Sequence, residues 1–513
     1  MVSESSHENE RQSSYLQIVR STSLIGLSSV ITIIFSIIRV KVLAVLLGPA
    51  GVGLFGLYSL IADLTVSLAG IGAQSSGVRQ VAEAVGSGDA ARIGRTATVL
   101  NWVTIILGVA GGAMLAALAM PVSQLTFGNT LEAGGVALLG MAVFLRLATG
   151  APAAIIQGTR HIGDLARMTV LGALLDTVVT IPLVYFFGTD GMVPSLVAMA
   201  FVSLLAALWY RRRIAIPAAP LAVAQIRAET AALLKLGFAF MASGLLMTGS
   251  AYAIRIFILH SEGVEAAGLY QSAWAIGGLY AGFILQAMGT DFYPRLTAAA
   301  RDHAECNRLV NEQAEISILL AGPGLIATMT FAPLVIALFY TAEFHPAVTL
   351  LRWLCLGMLL RIVAWPIGFI ILAKGAQRMF FWTEVAAATV QVGLAWILLR
   401  VVGLNGAGMA FVGLYIWHTA LVFVLVRRLT GFRWSPANIR LSVIFISAGL
   451  LIFAAVSLLP FWPATFIGIA ATAISGLYSL SELVKLLPPE WFPPAVRPWI
   501  SRLTFHRAAR PAE

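Results

Sequence analysis

The sequence predicts an all-α polytopic membrane protein with about fourteen transmembrane helices, and three observations lead to this fold class. Of the 513 residues, 59% are hydrophobic and only 11% are charged, whereas a soluble domain carries about 25% charged residues. Apolar runs of on the order of 20 residues, long enough to cross about 30 Å of hydrocarbon, recur along the chain. The chain also repeats itself, with six of these runs in each copy.

The apolar runs divide the chain into spans and polar segments. The predicted segments, in chain order, are a cytoplasmic N-terminal segment (1–20), an N-lobe of six spans (21–210), a cytoplasmic linker (211–235), a C-lobe of six spans (236–427), two further spans (440–482) and a cytoplasmic tail (483–513). The predicted spans are 21–47, 52–78, 96–119, 133–157, 167–187, 191–210, 236–259, 266–290, 315–340, 347–373, 380–401, 405–426, 440–460 and 462–482.

The formal net charge of +10 arises from Lys and Arg residues that fall on one side of these spans. With the N-terminus inside, 26 of the 33 Lys and Arg residues lie in the predicted cytoplasmic segments. The connections on the opposite side contain acids such as Glu132 and Asp190 and no cation. This asymmetry follows the positive-inside rule and places both termini in the cytoplasm. It explains the charge without a nucleic acid partner.

The two halves of the chain align at an offset near 215 residues. Arg39 then falls on Arg255, and Arg146 falls on Arg361. Because each copy has an even number of spans, both copies have the same orientation, which predicts a parallel repeat about an axis along the membrane normal. Two pseudo-symmetric six-helix lobes are therefore expected to face each other across a central cavity, with the last two spans outside the repeat.

Sequence signatures of enzyme chemistry are missing. The stretch "GVGLFG" (51–56) matches the dinucleotide-binding pattern GxGxxG, but it opens a membrane helix instead of following a strand. Its glycines are interpreted as allowing a tight turn and close helix packing. The sequence contains no P-loop, HExxH motif, Cys–His cluster or nucleophile elbow. We therefore predict a protein that is not an enzyme and has no cofactor and no metal site.

Basic residues inside the spans are the candidate functional residues. A charge at mid-bilayer costs about 3 kcal/mol on insertion scales, so it normally faces a cavity or a partner. Arg146 and Arg361 lie deep in their spans, whereas Arg39, Lys41 and Arg255 lie closer to the outer end. Arginine binds phosphate bidentately, and these five residues are predicted to bind substrate in the cavity. Snorkelling to the interface and ion pairing with an acid are the alternatives.

Two acids within the spans, Asp63 and Asp176, are the further candidates. Each is expected either to carry a coupling proton or sodium ion or to pair structurally with a neighbouring arginine. The repeat equivalent of Asp176 is the neutral Gln391, and Glu384 lies near the start of the eleventh span, where it is a third candidate ion-pair partner.

The basic first span ends in "LLGPAGVGLFGLYSLI" and is followed by "GAQSSGVRQVAE" and a basic loop. This pattern resembles the polysaccharide-exporter branch of the multidrug/oligosaccharidyl-lipid/polysaccharide (MOP) superfamily, above all its Wzx-type O-antigen and lipid III flippases. Most of the motif lies in the first 100 residues, and the hydropathy and the repeat extend the match over about 20–430.

The resemblance implies a V-shaped pair of six-helix lobes that flips a lipid-linked oligosaccharide by alternating access. The substrate would be an undecaprenyl-pyrophosphate glycan that moves from the inner to the outer leaflet of the bacterial cytoplasmic (inner) membrane. The product would serve synthesis of O-antigen, and so of lipopolysaccharide, or of another surface polysaccharide or exopolysaccharide. A proton or sodium ion and the polymerase and assembly proteins of the polymer are further candidate partners.

Three alternatives stay open at this point. Fourteen spans also occur in the related lipid II flippases of peptidoglycan synthesis. A cation-coupled multidrug antiporter of the same superfamily would be expected to favour acidic and aromatic cavity residues, whereas arginines exceed acids at depth in this sequence. A scaffold that transports nothing would not need the repeated deep arginines.

Overall fold

The computed structural model describes residues 2–216, 223–287 and 292–486, and these residues form helices and short connections without any β-strand. The predicted all-α class is thereby confirmed. Packing divides the chain into two compact units. The first unit runs to Gly268 and also contains Phe339–Thr341, and the second contains Leu269–Leu338 and the chain from Ala342 onward.

Seventeen α-helices lie in the described ranges. In chain order they are α1 (Val2–Ala69), α2 (Ala73–Gly86), α3 (Ala90–Ala117), α4 (Ala119–Phe127), α5 (Ala133–Gly158), α6 (Ile162–Phe187), α7 (Met192–Arg211), α8 (Val223–Glu262), α9 (Val264–Ala287), α10 (Tyr293–Ala298), α11 (His303–Thr330), α12 (Ala332–Phe339), α13 (Ala347–Ala373), α14 (Gln377–Val402), α15 (Asn405–Thr430), α16 (Pro436–Leu458) and α17 (Phe461–Leu486). Short 3-10 turns lie at Gly188–Gly191 and Ala342–Phe344.

By length and composition, ten helical runs among the described residues are able to cross a membrane, or eleven if the pair α11 and α12, bent by 82°, forms one span. Two of these runs are interrupted: Ser28–Ala69 at Gly48, and Ile162–Arg211 at the 3-10 turn Gly188–Gly191. The predicted eighth span, 266–290, extends beyond the described residues after residue 287. The count of fourteen therefore stays a prediction, although a multi-span helical membrane protein is established.

The break in α1 lies at the Gly-Pro pair of the first span. Gly48 has φ 62° and ψ −170°, a conformation that suits glycine, and Pro49 has no backbone N–H to continue the helix. Gly53 follows in the next turn, and a Cβ atom at this position would collide with the carbonyl oxygen of Val264 and lie 2.7 Å from the nitrogen of Gly268. The close approach at Gly53 supports the interpretation of the glycines of 51–56 as packing residues, whereas the turn itself lies at Gly48, before that stretch.

The helices α5 and α13 form the centres of their units. In their most apolar windows, 72% of the residues of α5 and 67% of those of α13 are buried inside the protein. In α5, Leu139 and Val143 are fully buried, and in α13 Leu351 and Cys355 are fully buried. These central helices carry Arg146 and Arg361, so each unit has an arginine on its most buried helix.

The two units contain matching local structures at the expected offset. Helices α3 and α11 each have 28 residues and each begin after an aspartate, Asp89 and Asp302. Both carboxylates accept hydrogen bonds of 2.9 and 3.1 Å from the backbone N–H groups two and three residues later. Helices α6 and α14 both end at a glycine with positive φ, Gly188 and Gly403. These matches support the internal repeat.

The cap on α3 also sets the acidity of its carboxyl group. Hydrogen bonds from the backbone N–H groups of Arg92 and Ala91, with the nearby Arg95 guanidinium, hold the pKa of Asp89 below its ordinary value. The carboxylate of Asp89 therefore stabilises the start of α3 in its charged form, as expected for an acid at a helix N-terminus.

The predicted lobe boundaries differ from the division by packing. Packing places α8 in the first unit, whereas the second sequence copy starts with this helix. The division by packing joins helices that lie close together, whereas the repeat joins helices that occupy equivalent positions in the two sequence copies. The two divisions need not coincide, so the lobe boundaries at 210 and 236 stay predictions. Of the predicted linker, residues 217–222 lie outside the described residues, as do residues 487–513 of the predicted tail.

Candidate functional site

A cavity of about 410 Å³ with charged groups in a mainly apolar wall lies within the first unit, between α1, α5, α6 and α7. Its charged lining residues are Asp63, Arg146 and Asp176. Ser59, Thr149 and Ser203 add hydroxyl groups to its wall, and Met199 and Leu196 belong to its apolar part. Three of the residues predicted from the sequence thus line one cavity.

Arg146 and Asp63 form an ion pair across this cavity. The Nη2 atom of Arg146 lies 2.5 Å from Oδ1 of Asp63, and both side chains are 40% exposed. Arg146 also borders a second cavity of about 220 Å³, lined by residues of α1, α2, α3, α5 and α8 such as Gln74 and Phe240. The Arg146 guanidinium group is therefore paired with Asp63 and can also be reached from both cavities.

Arg39 and Asp176 form a second, less exposed pair. The Nη1 atom of Arg39 lies 3.8 Å from Oδ2 of Asp176, and the two side chains are 18% and 19% exposed. The hydroxyl group of Ser203 donates a hydrogen bond of 3.3 Å to the other oxygen of Asp176. Because Arg39 is on α1 and Asp176 is on α6, this pair joins the first span to the cavity wall.

The first-unit site is balanced in charge. Two guanidinium groups and two carboxylates form two pairs, so this set of four residues carries no net formal charge. Exposure to the cavity and ion pairing, which the sequence left as alternatives, therefore occur together at Arg146, because this residue lines the cavity and also pairs with Asp63. Among the described residues, no group of three or more His, Cys, Asp or Glu side chains is placed to bind a metal ion.

The other two outer cations of the prediction lie elsewhere in the first unit. The ammonium group of Lys41 donates a hydrogen bond to the backbone carbonyl of Tyr340, within the short segment that packs with this unit. Arg255 is only 5% exposed, and its Nη1 atom donates to the carbonyl oxygen of Ala251 at 3.3 Å. Neither residue lines the 410 Å³ cavity.

In the second unit, Arg361 packs against aromatic rings, and the carboxyl group of Glu384 interacts with it electrostatically from beyond salt-bridge distance. Its guanidinium carbon lies 4.5 Å from the ring centroid of Trp365 and 5.8 Å from that of Tyr415. Its Nε atom is buried without a hydrogen-bond partner among the described residues. Within the same part of the chain, no acid lies within salt-bridge distance of Arg361, so its charge is stabilised by aromatic faces.

The repeat explains why the two environments differ. Four lining positions of the first-unit cavity have an aromatic residue 215 positions later in the chain. In that order, Ser59, Leu196, Ala200 and Ser203 correspond to Trp274, Phe411, Tyr415 and His418. The rings of this second set pack in series, with T-shaped contacts at centroid distances of 5.3, 5.0 and 5.8 Å. At these four positions the second unit has bulkier, aromatic side chains. At the same offset Asp63 corresponds to Gly278, so the acid that pairs with Arg146 has no counterpart beside Arg361.

A smaller pocket of about 190 Å³ lies beside this aromatic series, between α13, α14 and α15. Its polar lining residues are Thr383, Glu384 and His418. His418 was not predicted from the sequence, because a single histidine in an apolar helix has no characteristic spacing. The only sequence signal would have been its alignment with Ser203 in the repeat.

Comparison with known proteins gives one family match. The sequence profile of the family described as polysaccharide biosynthesis protein matches residues 42–349. The lipid III flippase of Escherichia coli (strain K12) is 24% identical over 396 residues, which cover 76% of this chain and 94% of the flippase.

Solved structures of transporters and flippases share the fold. An inward-facing multidrug resistance MATE family transporter of the MOP superfamily matches with a TM-score of 0.66 at 19% identity, covering 78% of this chain and 94% of the transporter. A lipid II flippase in an inward closed conformation matches with a TM-score of 0.61 at 11% identity, covering 91% of this chain and 100% of the flippase. The similar proteins are transporters and flippases, in agreement with the prediction that this chain is not an enzyme.

Proposed function

Because the chain belongs to the polysaccharide biosynthesis protein family and has the fold of MOP-superfamily transporters, we propose that it flips a lipid-linked oligosaccharide across the membrane. The proposed substrate is an undecaprenyl-pyrophosphate glycan, which moves from the inner to the outer leaflet of the bacterial cytoplasmic membrane by alternating access. The glycan is a precursor of O-antigen or of another surface polysaccharide or exopolysaccharide. Both termini are proposed to lie in the cytoplasm, on the basis of the Lys and Arg distribution.

Arg361 is the observation that carries this proposal. A cation within a membrane protein normally pairs with an acid or faces a functional cavity, and Arg361 has aromatic neighbours and a buried Nε–H group without an acceptor. A pyrophosphate supplies several anionic oxygens and suits the forked geometry of a guanidinium group. An organic-cation antiporter would gain nothing from an unpaired arginine at this depth.

The remaining predicted residues have supporting roles in the proposal. Arg146, which is 40% exposed, is the first-unit candidate for contact with the headgroup. Arg39, Lys41 and Arg255 are proposed to contribute positive potential near the outer end of the spans. Asp63 and Asp176 are the proposed sites for a coupling proton or sodium ion, because a carboxylate that is bonded to an arginine can exchange that partner for a cation.

The proposal is tested by measuring the lipid-linked intermediates of a strain that lacks the gene. A membrane-impermeant glycan probe distinguishes glycans on the outer leaflet from those on the inner leaflet. We expect undecaprenyl-pyrophosphate oligosaccharides to accumulate on the inner leaflet, and the mass of the intermediate identifies the sugar. Complementation with the wild-type gene should restore export, whereas complementation with the Arg361→Gln variant, expressed at the same level, should not.

Other results would support a different transporter. Normal intermediates and normal surface glycan, together with a new sensitivity to cationic drugs, would favour the multidrug antiporter. Accumulation of the peptidoglycan precursor lipid II would favour the lipid II flippase. If the Arg361→Gln variant restored export fully, the assignment of Arg361 to the pyrophosphate would be wrong even if the strain lacking the gene accumulated the expected lipid.

A further inference from the structure

The 190 Å³ pocket of the second unit, here called the C-pocket, has walls of two kinds. The aromatic rings of Trp365, Phe369 and Phe380 form much of its lining, and Thr383, Glu384 and His418 supply polar groups. Pockets that bind small molecules usually combine apolar and aromatic walls with a few placed polar groups. The composition of the C-pocket is therefore that of a binding site.

The ring of Trp365 joins this pocket to the proposed pyrophosphate site. Trp365 lines the C-pocket, and the Arg361 guanidinium lies 4.5 Å from the centroid of the same ring. A ligand that reaches Arg361 with an anionic group would have its next chemical unit within reach of the pocket. In a lipid-linked oligosaccharide, the unit next to the pyrophosphate is the first sugar of the glycan.

One polar group in the pocket wall lacks a partner within the described part of the chain. The Nδ1 atom of His418 is buried and has no hydrogen bond there, although the His418 ring packs against Tyr415 at 5.8 Å. A buried polar atom without a partner costs about 1–3 kcal/mol, so its retention calls for an acceptor or donor from outside. The carboxylate of Glu384 adds a second hydrogen-bonding group to the same wall.

From this geometry, and on the basis of the proposed function, we propose that the C-pocket binds one neutral sugar ring, the first sugar of the lipid-linked glycan. A sugar ring presents C–H groups on its faces, which suit the electron-rich face of an aromatic ring. Its hydroxyl groups suit the side chains of Thr383, Glu384 and His418 as hydrogen-bond partners. The pocket volume of about 190 Å³ gives room for one sugar ring.

An isoprenoid chain fits this pocket less well. A polyprenyl tail has no group that could bond to a carboxylate or a ring nitrogen, so it would leave the buried Nδ1 atom of His418 without a partner. The C-pocket thus contributes to choice of glycan, whereas Arg361 responds to the pyrophosphate that all such lipids share.

Two adjacent phenylalanines provide a matched test. Phe380 lines the C-pocket, whereas the neighbouring Phe381 is 39% exposed and packs on Trp382 outside it. Full-length protein in nanodiscs would be offered two probes, the lipid-linked intermediate extracted from the strain that lacks the gene and undecaprenyl pyrophosphate without a glycan. Native mass spectrometry would give the affinity of each protein variant for each lipid.

We expect the Phe380→Leu variant to lose about three- to tenfold in affinity for the glycan-bearing lipid, which is the size of an aromatic stacking contribution. Its affinity for undecaprenyl pyrophosphate should not change, and the Phe381→Leu variant should bind both lipids like the wild type. The His418→Leu variant should also bind the glycan-bearing lipid less tightly. Its melting temperature should stay equal or rise, because the substitution removes a buried nitrogen without a partner.

The outcomes separate the sugar site from the proposed function. If the wild type binds both lipids equally well, or if Phe380→Leu weakens both lipids to the same extent, the sugar site is refuted and the flippase proposal stands. If the wild type binds neither lipid, both proposals fail. If Phe380→Leu does not fold, the affinity of the His418→Leu variant decides, and unchanged binding of the glycan-bearing lipid would refute the site.

Discussion

The pair formed by Arg146 and Asp63 allows a sharp test of whether a deep arginine serves the fold or the substrate. The perturbation is a double-mutant cycle with Arg146→Gln, Asp63→Asn and the combination of both. The N–O distance of 2.5 Å is short, but both side chains are 40% exposed. Exposed ion pairs contribute only about 0.2–1 kcal/mol to folding, so we expect a coupling energy of about 1 kcal/mol in the free energy of unfolding.

Binding of a pyrophosphate would depend on Arg146 more strongly. Hydrogen bonds to charged groups contribute about 1.5–3 kcal/mol, which corresponds to a loss of about ten- to hundredfold in affinity when the donor is removed. The Arg146→Gln variant and the double variant should both lose affinity for undecaprenyl pyrophosphate to this extent. The Asp63→Asn variant should bind the lipid at least as tightly as the wild type, because Arg146 no longer has a competing carboxylate.

The assay is equilibrium binding of undecaprenyl pyrophosphate to protein in nanodiscs, with thermal unfolding of the same samples. Recovery of affinity in the Arg146→Gln, Asp63→Asn double variant would refute the reasoning. Arg146 would then act only as the partner of Asp63, and the first unit would not contact the headgroup.

Three further predictions concern the fold. A Gly140→Ala substitution should lower the free energy of unfolding by about 1–3 kcal/mol, because the added Cβ would lie 2.5 Å from a backbone oxygen of α3. Thermal unfolding measures this effect, and Gly134→Ala is the control, because a Cβ at Gly134 would have nothing within 4 Å. Asn438→Ala removes hydrogen bonds of 2.8 and 2.9 Å to Asn311 on α11 and should destabilise the packing of α16 by about 1–3 kcal/mol, seen as faster hydrogen exchange there. Asp89→Asn should destabilise the start of α3 at neutral pH. The difference in stability between the variant and the wild type should vanish as the pH falls through the lowered pKa of Asp89. The reason is that the carboxylate stabilises the fold fully above about pH 3.9 and loses this effect when it is protonated. An unchanged difference at acidic pH would contradict the capping role.

Hydropathy and turn chemistry were sufficient to predict the fold class and the break in the first span. Both depend on local sequence: an apolar run of sufficient length forms a helix in lipid, and Gly48 and Pro49 interrupt the first run where Gly48 adopts a positive φ. The pair alone does not set the break, because Gly322 and Pro323 lie inside the continuous helix α11. The exact number of spans depends on how helices bend, as the 82° angle between α11 and α12 illustrates. Such an angle is set by packing against other helices and not by composition.

The candidate site was predictable only in part. The depth of Arg146 follows from its position in the span, but depth does not determine whether an arginine faces a cavity or an acid. That choice depends on the relative rotation of α1 and α5, which brings Asp63 within 2.5 Å of Arg146 and leaves 40% of each side chain exposed. The aromatic surroundings of Arg361 could not be predicted from the sequence either, because Trp365 and Tyr415 have no spacing that distinguishes them from other apolar residues of α13 and α15.

The first-unit set of paired residues is neutral overall, whereas Arg361 in the second unit has no salt bridge among the described residues, so their electric fields extend over different distances. The potential of the first-unit set, with two positive and two negative groups, cancels within a few ångströms, because paired charges behave as dipoles whose field falls steeply. Arg361 has no salt bridge among the described residues, although Glu384 interacts with it electrostatically, so its field declines more slowly than that of the paired set and is focused by low-dielectric walls. Under the proposed function, Arg361 would therefore attract an anionic headgroup over a longer distance than the neutral set of Arg39, Asp63, Arg146 and Asp176.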